Sequence, residues 1–504
     1  MQHKFRRIFF IVLVTLLGSS CDEFLDVNTD ISKPQTASAP VLLPPILSDM
    51  ARGEQFDSRF VGQFVQYWHN VTAGTTYEAH GSPSSDANAE KWRSHYYAIG
   101  LNIDLIIKDA EGKEQWNYAG VARAIRAWSW QTTTDHHGDL ILKQAWEPGR
   151  FIFDFDSQDL VYEEVKRLCN EALELISRPG EASTTAILAK GDLTYQGDAT
   201  KWTKFTYGVL ARNANHISNK STYDPRKVIE YVDKSLASNS DNFLVPHAGN
   251  NTDDGNFYGP LRNNLTVYRP STYIVSLLDS VLLPARDPRI GLLLTPSLDG
   301  KYRGIGPGAG DPTNAAAATS PTKLPTLFGT ITRPTTDKGS KFIFRDNAAF
   351  PIMTYAEMQF IKAEAAIRAN DKAMALTAYT NGIRAHMDFL GVAAAARDKY
   401  LASPAVIKDA AALTISDVMI QKYIALWGYG AAETWVDLRR YAYSKDIYKG
   451  FSLPTIFSTD NGGKPVQRAR PRFNSEYVWN AESLKKIGAD LADYHTKEMW
   501  FALP

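Results

Sequence analysis

The chain has 504 residues, with 55 Lys and Arg against 55 Asp and Glu, and 12% of it is aromatic. A net charge of zero argues against nucleic acid as a main partner, because phosphate binding needs an excess of Lys and Arg, and the aromatic content argues against disorder. Two cysteines in this length exclude a disulfide scaffold and a cysteine-rich zinc module.

Lys4, Arg6 and Arg7 precede an apolar run from Ile8 to Leu17, followed by the small residues Gly18, Ser19 and Ser20. The run is shorter than the about 20 residues that span a bilayer as a helix. Its length and flanks are those of a secretory signal peptide over residues 1–20. Cys21 follows at once and resembles the lipidated cysteine of a bacterial lipobox. Asp22 and Glu23 resemble the acidic signal that some Gram-negative lipoproteins use to reach the cell surface. Residues 21–40 are polar and read as a tether.

From about 44 to 240 the pattern is mostly helical. Phe56, Phe60, Phe64 and Trp68 recur every fourth residue as one apolar stripe. A polar loop with Gly and Pro breakers spans Asn70 to Asn88, after which Tyr96, Gly100, Ile103 and Ile107 restore helical spacing. Trp116, Gly120, Ala124 and Trp128 share one face. Small residues at intervals of four, facing bulky ones, let paired helices pack closely, as in tetratricopeptide units. A further amphipathic helix runs from Val161 to Ile176. Between 241 and 350 Gly, Pro, Asn, Asp and Thr dominate, and only Tyr273 to Leu283 predicts a helix. Helices resume over Tyr355 to Ala385 and Ile415 to Arg440, and 441–504 is irregular again. The expected fold is mostly α: a tetratricopeptide-like helical-repeat scaffold (about 44–240 and 351–440). A large loop-rich part (about 241–350 and 441–504) forms the ligand face, all within a single domain over 41–504.

Six phrases in order carry a family resemblance. They are Cys21 to Asn28; the Trp116 to Trp130 helix with Thr134-Asp135-His136-His137-Gly138-Asp139-Leu140; Pro351 to Ala366; Tyr379 to Met387; Gln421 to Trp427 with Glu433 to Arg440; and Pro471-Arg472-Phe473. Together they resemble the SusD/RagB family of outer-membrane nutrient-binding lipoproteins, in its SusD-like branch. The resemblance implies a lipid-anchored protein at the cell surface. It would sit as a lid over a SusC-like TonB-dependent barrel transporter and pass inward an oligosaccharide or other nutrient. Within the phrases, Glu357, Glu364, Asp437 and Arg439 read as residues that tie helices together.

Gly304 to Gly310 alternates glycine with other residues, yet it follows no apolar strand and opens no helix, so it reads as a loop and not a dinucleotide fingerprint. Asp135, His136, His137 and Asp139 read as turn chemistry, because adjacent histidines point apart and no third ligand stands at metal spacing. Asn251, Asp253 and Asn256 lack the terminal Glu of a calcium loop. No metal or other cofactor is expected. Asp135 with Asp139, or Glu433 with Asp437, have spacings a glycosidase could use, but no nucleophile elbow or zinc-hydrolase motif accompanies them, and the chain reads as a non-enzyme.

Sugar binding needs ring faces with polar groups at their rim. The loops offer two such clusters: Trp68, Asn70, Tyr77 and Trp92, and then Phe257, Tyr258, Arg262, Asn263, Tyr268 and Tyr302. Core packing competes for Trp68 and Trp92, which lie near helix stripes. Cys169 reads as a buried, inert thiol, and Lys464, Arg468, Arg470 and Arg472 as a basic run paired with acidic loops of the barrel or of this chain. A surface glycoside hydrolase and a scaffold that binds only proteins remain the alternatives.

Overall fold

Pro40, which needs no amide partner in a first turn, opens helix α1 (Ala39–Phe64) in a computed structural model that describes residues 37–504 apart from 83, 333 and 335. The signal peptide, Cys21 and nearly all of the tether lie outside the described residues. Phe56, Phe60 and Phe64 share a face of α1, but the stripe stops there. Gln66 takes φ +57°, the chain turns back, and Trp68 enters strand β1 (Trp68–Asn70).

The chain then forms α2 (Glu90–Arg93), which runs through a π-helical turn at Ser94–Ile99 into α3 (Gly100–Gly112). Next come α4 (Trp116–His137), α5 (Gln158–Ser177), α6 (Ala199–His216) and α7 (Pro225–Lys234). Asp198 and Asp224 cap α6 and α7 by accepting two backbone N–H groups each, satisfying donors that a helix start leaves free. Strands β2 (Phe243–Val245) and β3 (Tyr268–Pro270) precede α8 (Thr272–Leu278). This helix is shorter than its apolar pattern predicts, because Ser280 turns to φ +57°.

After β4 (Phe350–Met353) come α9 (Tyr355–Arg368), α10 (Lys372–Phe389), α11 (Ile415–Leu426) and α12 (Ala431–Arg440). The two long helical stretches expected in this half are each a pair. Asn370 at φ +60° separates α9 from α10, and Gly428 at φ +95° separates α11 from α12. A Thr414–Asp417 capping box starts α11.

The scaffold is built by helix pairs, α4 on α5, α6 on α7 and α9 on α10, with α5 also packed on α6 and α7 on α9. The only strands among the described residues form two antiparallel ribbons, β1 with β3 and β2 with β4. They stitch the loop-rich part to the helices around one contiguous apolar core that reaches from Ala39 to Val466. Cys169 is fully buried within it, and burial raises its thiol pKa.

The small-residue face of α4 does what its pattern predicts. A Cβ at Gly120 would lie 2.7 Å from Ile176 Cγ1 and 2.9 Å from the Ala172 carbonyl oxygen of α5. Gly120→Ala is therefore expected to destabilise the protein by about 1–3 kcal/mol through overpacking, read as a lowered urea midpoint. An unchanged midpoint would mean that the α4–α5 pair has slack.

Candidate functional site

The two aromatic clusters expected from sequence meet in space. The β1–β3 ribbon sets Trp68 opposite Pro270 and Asn70 opposite Tyr268. Ring centroids are 6.0 Å apart for Trp68–Tyr258, 6.4 Å for Trp68–Tyr268, 5.8 Å for Phe257–Phe56 and 4.3 Å for Tyr77–Phe60. Their faces are spent on each other. Trp68 and Tyr258 are fully buried and Phe257 and Tyr268 nearly so, which corrects their reading as ring platforms: here they are core.

The polar members are engaged locally. Asn70 Oδ1 accepts the Thr72 N–H at 2.9 Å, and Arg262 donates to the Thr252 carbonyl at 2.5 Å and lies over the Phe257 ring. Asn263 takes φ +56° in a turn. Tyr302 stands apart beneath Arg286. Tyr77, half-buried, has its phenol pKa raised by burial.

Trp92 belongs elsewhere. Its indole walls an open cavity of about 490 Å³ together with Tyr96, Tyr97, Trp146 and Phe153, over Ile141 and Ala145. That volume lies in the range of small-molecule sites. The walls come from three segments: α2 with its π-turn, the loop after α4, and the π-helical turn Phe473–Tyr477. Trp92 and Tyr96 sit four apart on the same helical face. Gly100 makes room for Trp146, whose ring would lie 2.0 Å from a Cβ there, and Arg126 packs 4.9 Å from the centre of the same ring.

The polar handles of Tyr96, Trp146 and Trp92 are already used. Tyr96 Oη accepts the Ile141 N–H at 2.8 Å and donates to the Ile141 carbonyl at 3.0 Å. Trp146 Nε1 donates to the Tyr96 carbonyl at 2.7 Å, and Trp92 Nε1 to Glu476 Oε1 at 3.3 Å. These three rings therefore show the cavity mainly carbon.

Charge on the rim is likewise paired. Arg93 lies 3.1 Å from Glu90 and Arg472 2.5 Å from Asp86. Glu476 Oε2 accepts from Asn480 at 3.0 Å, and burial raises the Glu476 carboxyl pKa. Asn480 also exchanges two hydrogen bonds with the backbone of Phe153, clamping the second wall to the third. In the wall Tyr97 is 62% exposed, and the sequence neighbours of Phe153 and Asn480, Phe151 and Trp479, are exposed as well.

The sequence reading found Trp92 and missed Tyr97, Trp146, Phe153 and Glu476. A usable signal was present in Trp146 and Phe151-Ile152-Phe153, which flank Glu147-Pro148-Gly149 without helical period: large apolar residues in a breaker-rich loop with no core face to join.

Of the acidic pairs weighed for hydrolysis, Asp135, Glu433 and Asp437 are buried and Asp139 is half-buried. Asp135 accepts from Tyr162 Oη at 2.5 Å and from Gln131 at 2.8 Å. His216 lies between Asp135 and Glu433, with its Nδ1 3.1 Å from one carboxylate and its Nε2 3.0 Å from the other. Although these three could in spacing hold a cation, both imidazole nitrogens face carboxylates. The two acids outweigh desolvation and hold the imidazolium, pushing its pKa up to about 9.

Arg212 bridges Glu357 and approaches Glu433, while Arg440 joins Glu364 to Asp437, which also holds Lys422. These ties link α6, α9, α11 and α12. The residues expected to turn the chain after α4 instead complete that helix through His137, with Gly138 at φ +89° making the turn. The basic run is absorbed by this chain: Arg470 donates to three backbone carbonyls, and Arg468 to those of Lys497 and Glu498.

The family described as "Starch-binding associating with outer membrane" matches residues 30–469. This chain is a SusD-like protein. Solved structures share its fold. A SusD/RagB family protein from Bacteroides thetaiotaomicron superposes with a TM-score of 0.70 at 23% identity, covering 93% of this chain and 99% of that one. A SusD homolog from Bacteroides fragilis gives 0.72 at 18%, covering 93% and 100%. A chitin-binding SusD homolog from Flavobacterium johnsoniae gives 0.71 at 19%, covering 92% and 96%. No curated protein matches the chain. Among its described residues, no helix of this SusD-like protein is long and apolar enough to cross a membrane.

Proposed function

We propose that this SusD-like protein is a non-catalytic, cell-surface glycan-binding lipoprotein that captures oligosaccharide and delivers it to a SusC-like TonB-dependent barrel transporter. Cys21 carries the lipid anchor, and acylation at more than one position gives the stable attachment that a single chain does not. The observation that supports capture is the carbon-faced aromatic groove. Sugar C–H faces stack on such rings, and a few contacts of about 0.5–1.5 kcal/mol each give the modest affinity that suits capture followed by release. Family membership supports the outer-membrane setting, and the chitin-binding relative of the same fold supports a glycan as ligand. Asn70, Tyr77, Arg262, Asn263 and Tyr302 remain candidates for a second contact surface.

The test is affinity purification of the anchored protein from detergent-solubilised outer membranes, with co-purifying chains identified by mass. A stoichiometric large barrel protein is expected. Its absence, with the protein intact and surface-exposed, would remove the transporter from the reading. Tyr97→Ala and Phe153→Ala are each expected to weaken oligosaccharide binding about threefold to tenfold, as measured by calorimetry, with the melting temperature little changed for the exposed Tyr97. Unaltered affinity in both would move the site out of the groove.

A further inference from the structure

We infer that the groove takes an acidic sugar, a hexuronate residue whose carboxylate is met by the Arg93 and Arg472 guanidiniums, in preference to a sugar that carries hydroxyl groups alone. The inference rests on the glycan reading and goes beyond it to the class of sugar.

The groove divides its chemistry by segment. The loop after α4 gives it carbon, from Ile141, Ala145, Trp146 and Phe153, whereas α2 and the stretch around the Phe473–Tyr477 turn bring charge. Of the polar side chains in those two segments, Ser475 keeps its hydroxyl oxygen buried, and Glu476 spends one oxygen on Trp92 and the other on Asn480. Arg93, Arg472 and the Tyr97 hydroxyl are left for a ligand. The side chains of Arg93 and Arg472 keep 35% and 26% of their surface exposed, so both guanidiniums are within reach.

Ion pairing at the rim does not exhaust these groups. A guanidinium carries five N–H donors. Arg93 offers Glu90 one nitrogen at 3.1 Å, and Arg472 offers Asp86 one at 2.5 Å; neither guanidinium has a further hydrogen-bond acceptor among the described residues. The two acids are themselves shared. Glu90 also lies 3.7 Å from Arg52, and Asp86 accepts the backbone and side-chain N–H groups of Asn474 at 2.9 and 2.6 Å. Three guanidiniums therefore stand against two carboxylates at the rim. Glu476 alone is acidic among the lining residues, and burial, which raises its carboxyl pKa, moderates its opposition to an anion. A hydroxyl accepts from a guanidinium only as a neutral group. A carboxylate makes bonds about twice as strong and matches the planar fork. Its pyranose ring keeps the C–H face that stacks on the aromatic walls.

The experiment is calorimetric titration of the full chain with two matched pairs of β-1,4-linked tetrasaccharides, glucose with glucuronate and mannose with mannuronate, which differ within each pair only in oxidation at C6. The uronate of at least one pair is expected to bind about tenfold more tightly than its neutral counterpart at low salt. That preference should fall to about twofold or less as ionic strength rises from about 0.05 to about 0.5 M. Arg93→Gln and Arg472→Gln should each reduce the preference about threefold or more, a ratio that a general loss of folded protein would leave unchanged. Equal affinity within both pairs, or preference for the neutral chains, overturns the inference and leaves the glycan reading standing. A uronate preference that survives both substitutions also overturns it, since the anion is then held elsewhere. Binding of none of the four at millimolar concentration overturns both.

Discussion

Arg212→Met is expected to remove about 3–5 kcal/mol of stability, because it leaves buried carboxylates without their cation. Arg212 is buried between α6 and α9. Its Nε and Nη2 donate to the two oxygens of Glu357 at 2.6 and 2.7 Å, Nη2 also reaches the Ile352 carbonyl at 2.8 Å, and Nη1 stands 3.6 Å from Glu433. Methionine fills much of the volume but supplies none of these donors. Urea unfolding at neutral pH measures the loss. Adding Glu357→Leu should restore part of it, since one orphaned charge then disappears and the two effects are coupled through one contact. A single-mutant loss below about 1 kcal/mol would show that water reaches these groups.

Acid should unfold the protein steeply. His80, His95, His136, His137 and His386 are buried, and desolvation lowers each pKa, to about 3 for His80 and His137. Their partners agree with neutral rings: the His80 Nδ1 accepts the Val466 N–H, and the His386 Nδ1 accepts from the Arg289 guanidinium. An unfolded histidine titrates near 6.5. Below that pH the unfolded chain gains protons that the folded one refuses, and stability falls as pH drops from about 6.5. Asp57 works the other way. Burial raises its pKa to about 7, so the folded state keeps a proton there that the unfolded state releases above about 4.

Burial also raises the carboxyl pKa of Asp49, Asp139, Asp346 and Glu476, which offsets part of the histidine effect, and the five buried rings make stability fall as pH drops below about 6.5. On the alkaline side His216 dominates. With its folded pKa raised to about 9, its contribution is complete below 6.5 and is lost as pH rises from there to about 9. Urea midpoints from pH 4.5 to 9.5 should peak near 6.5–7 with the acid limb the steeper. A flat profile between pH 7 and 5 would mean that the five rings take up protons while folded.

Much of the scaffold was legible because helical period and small-residue spacing are local properties. Gly120 lies against Ile176 as the α4 pattern required, and the loop-rich character of 241–350 followed from its Gly, Pro and Asn content. The ends of elements were less legible. Phe56 to Trp68 continues a perfect stripe, yet the chain leaves the helix at Phe64, and the indole of Trp68 folds back onto Gly62, whose Cβ would lie 2.4 Å from it. Nothing local distinguishes an aromatic that ends in the core from one that faces solvent. Trp68 and Tyr258 were lost to the β1–β3 packing, whereas Trp146 and Phe153, silent in any periodic pattern, were freed for the groove by the segment around Glu476. Tertiary pairing across most of the chain decided each case.

The hydrogen bond from Trp92 to Glu476 closes a separation of 384 residues. A ligand held between these walls acts as a non-covalent staple between distant parts of the chain, and it has no counterpart in the unfolded ensemble. Occupancy must then raise the midpoint of global melting and not merely stiffen a loop, by about 2.7 kcal/mol at a hundredfold excess over the dissociation constant. A simple thermal shift on the purified protein is thus a screen for its nutrient, because a compound that binds the folded chain and not the unfolded one raises the midpoint.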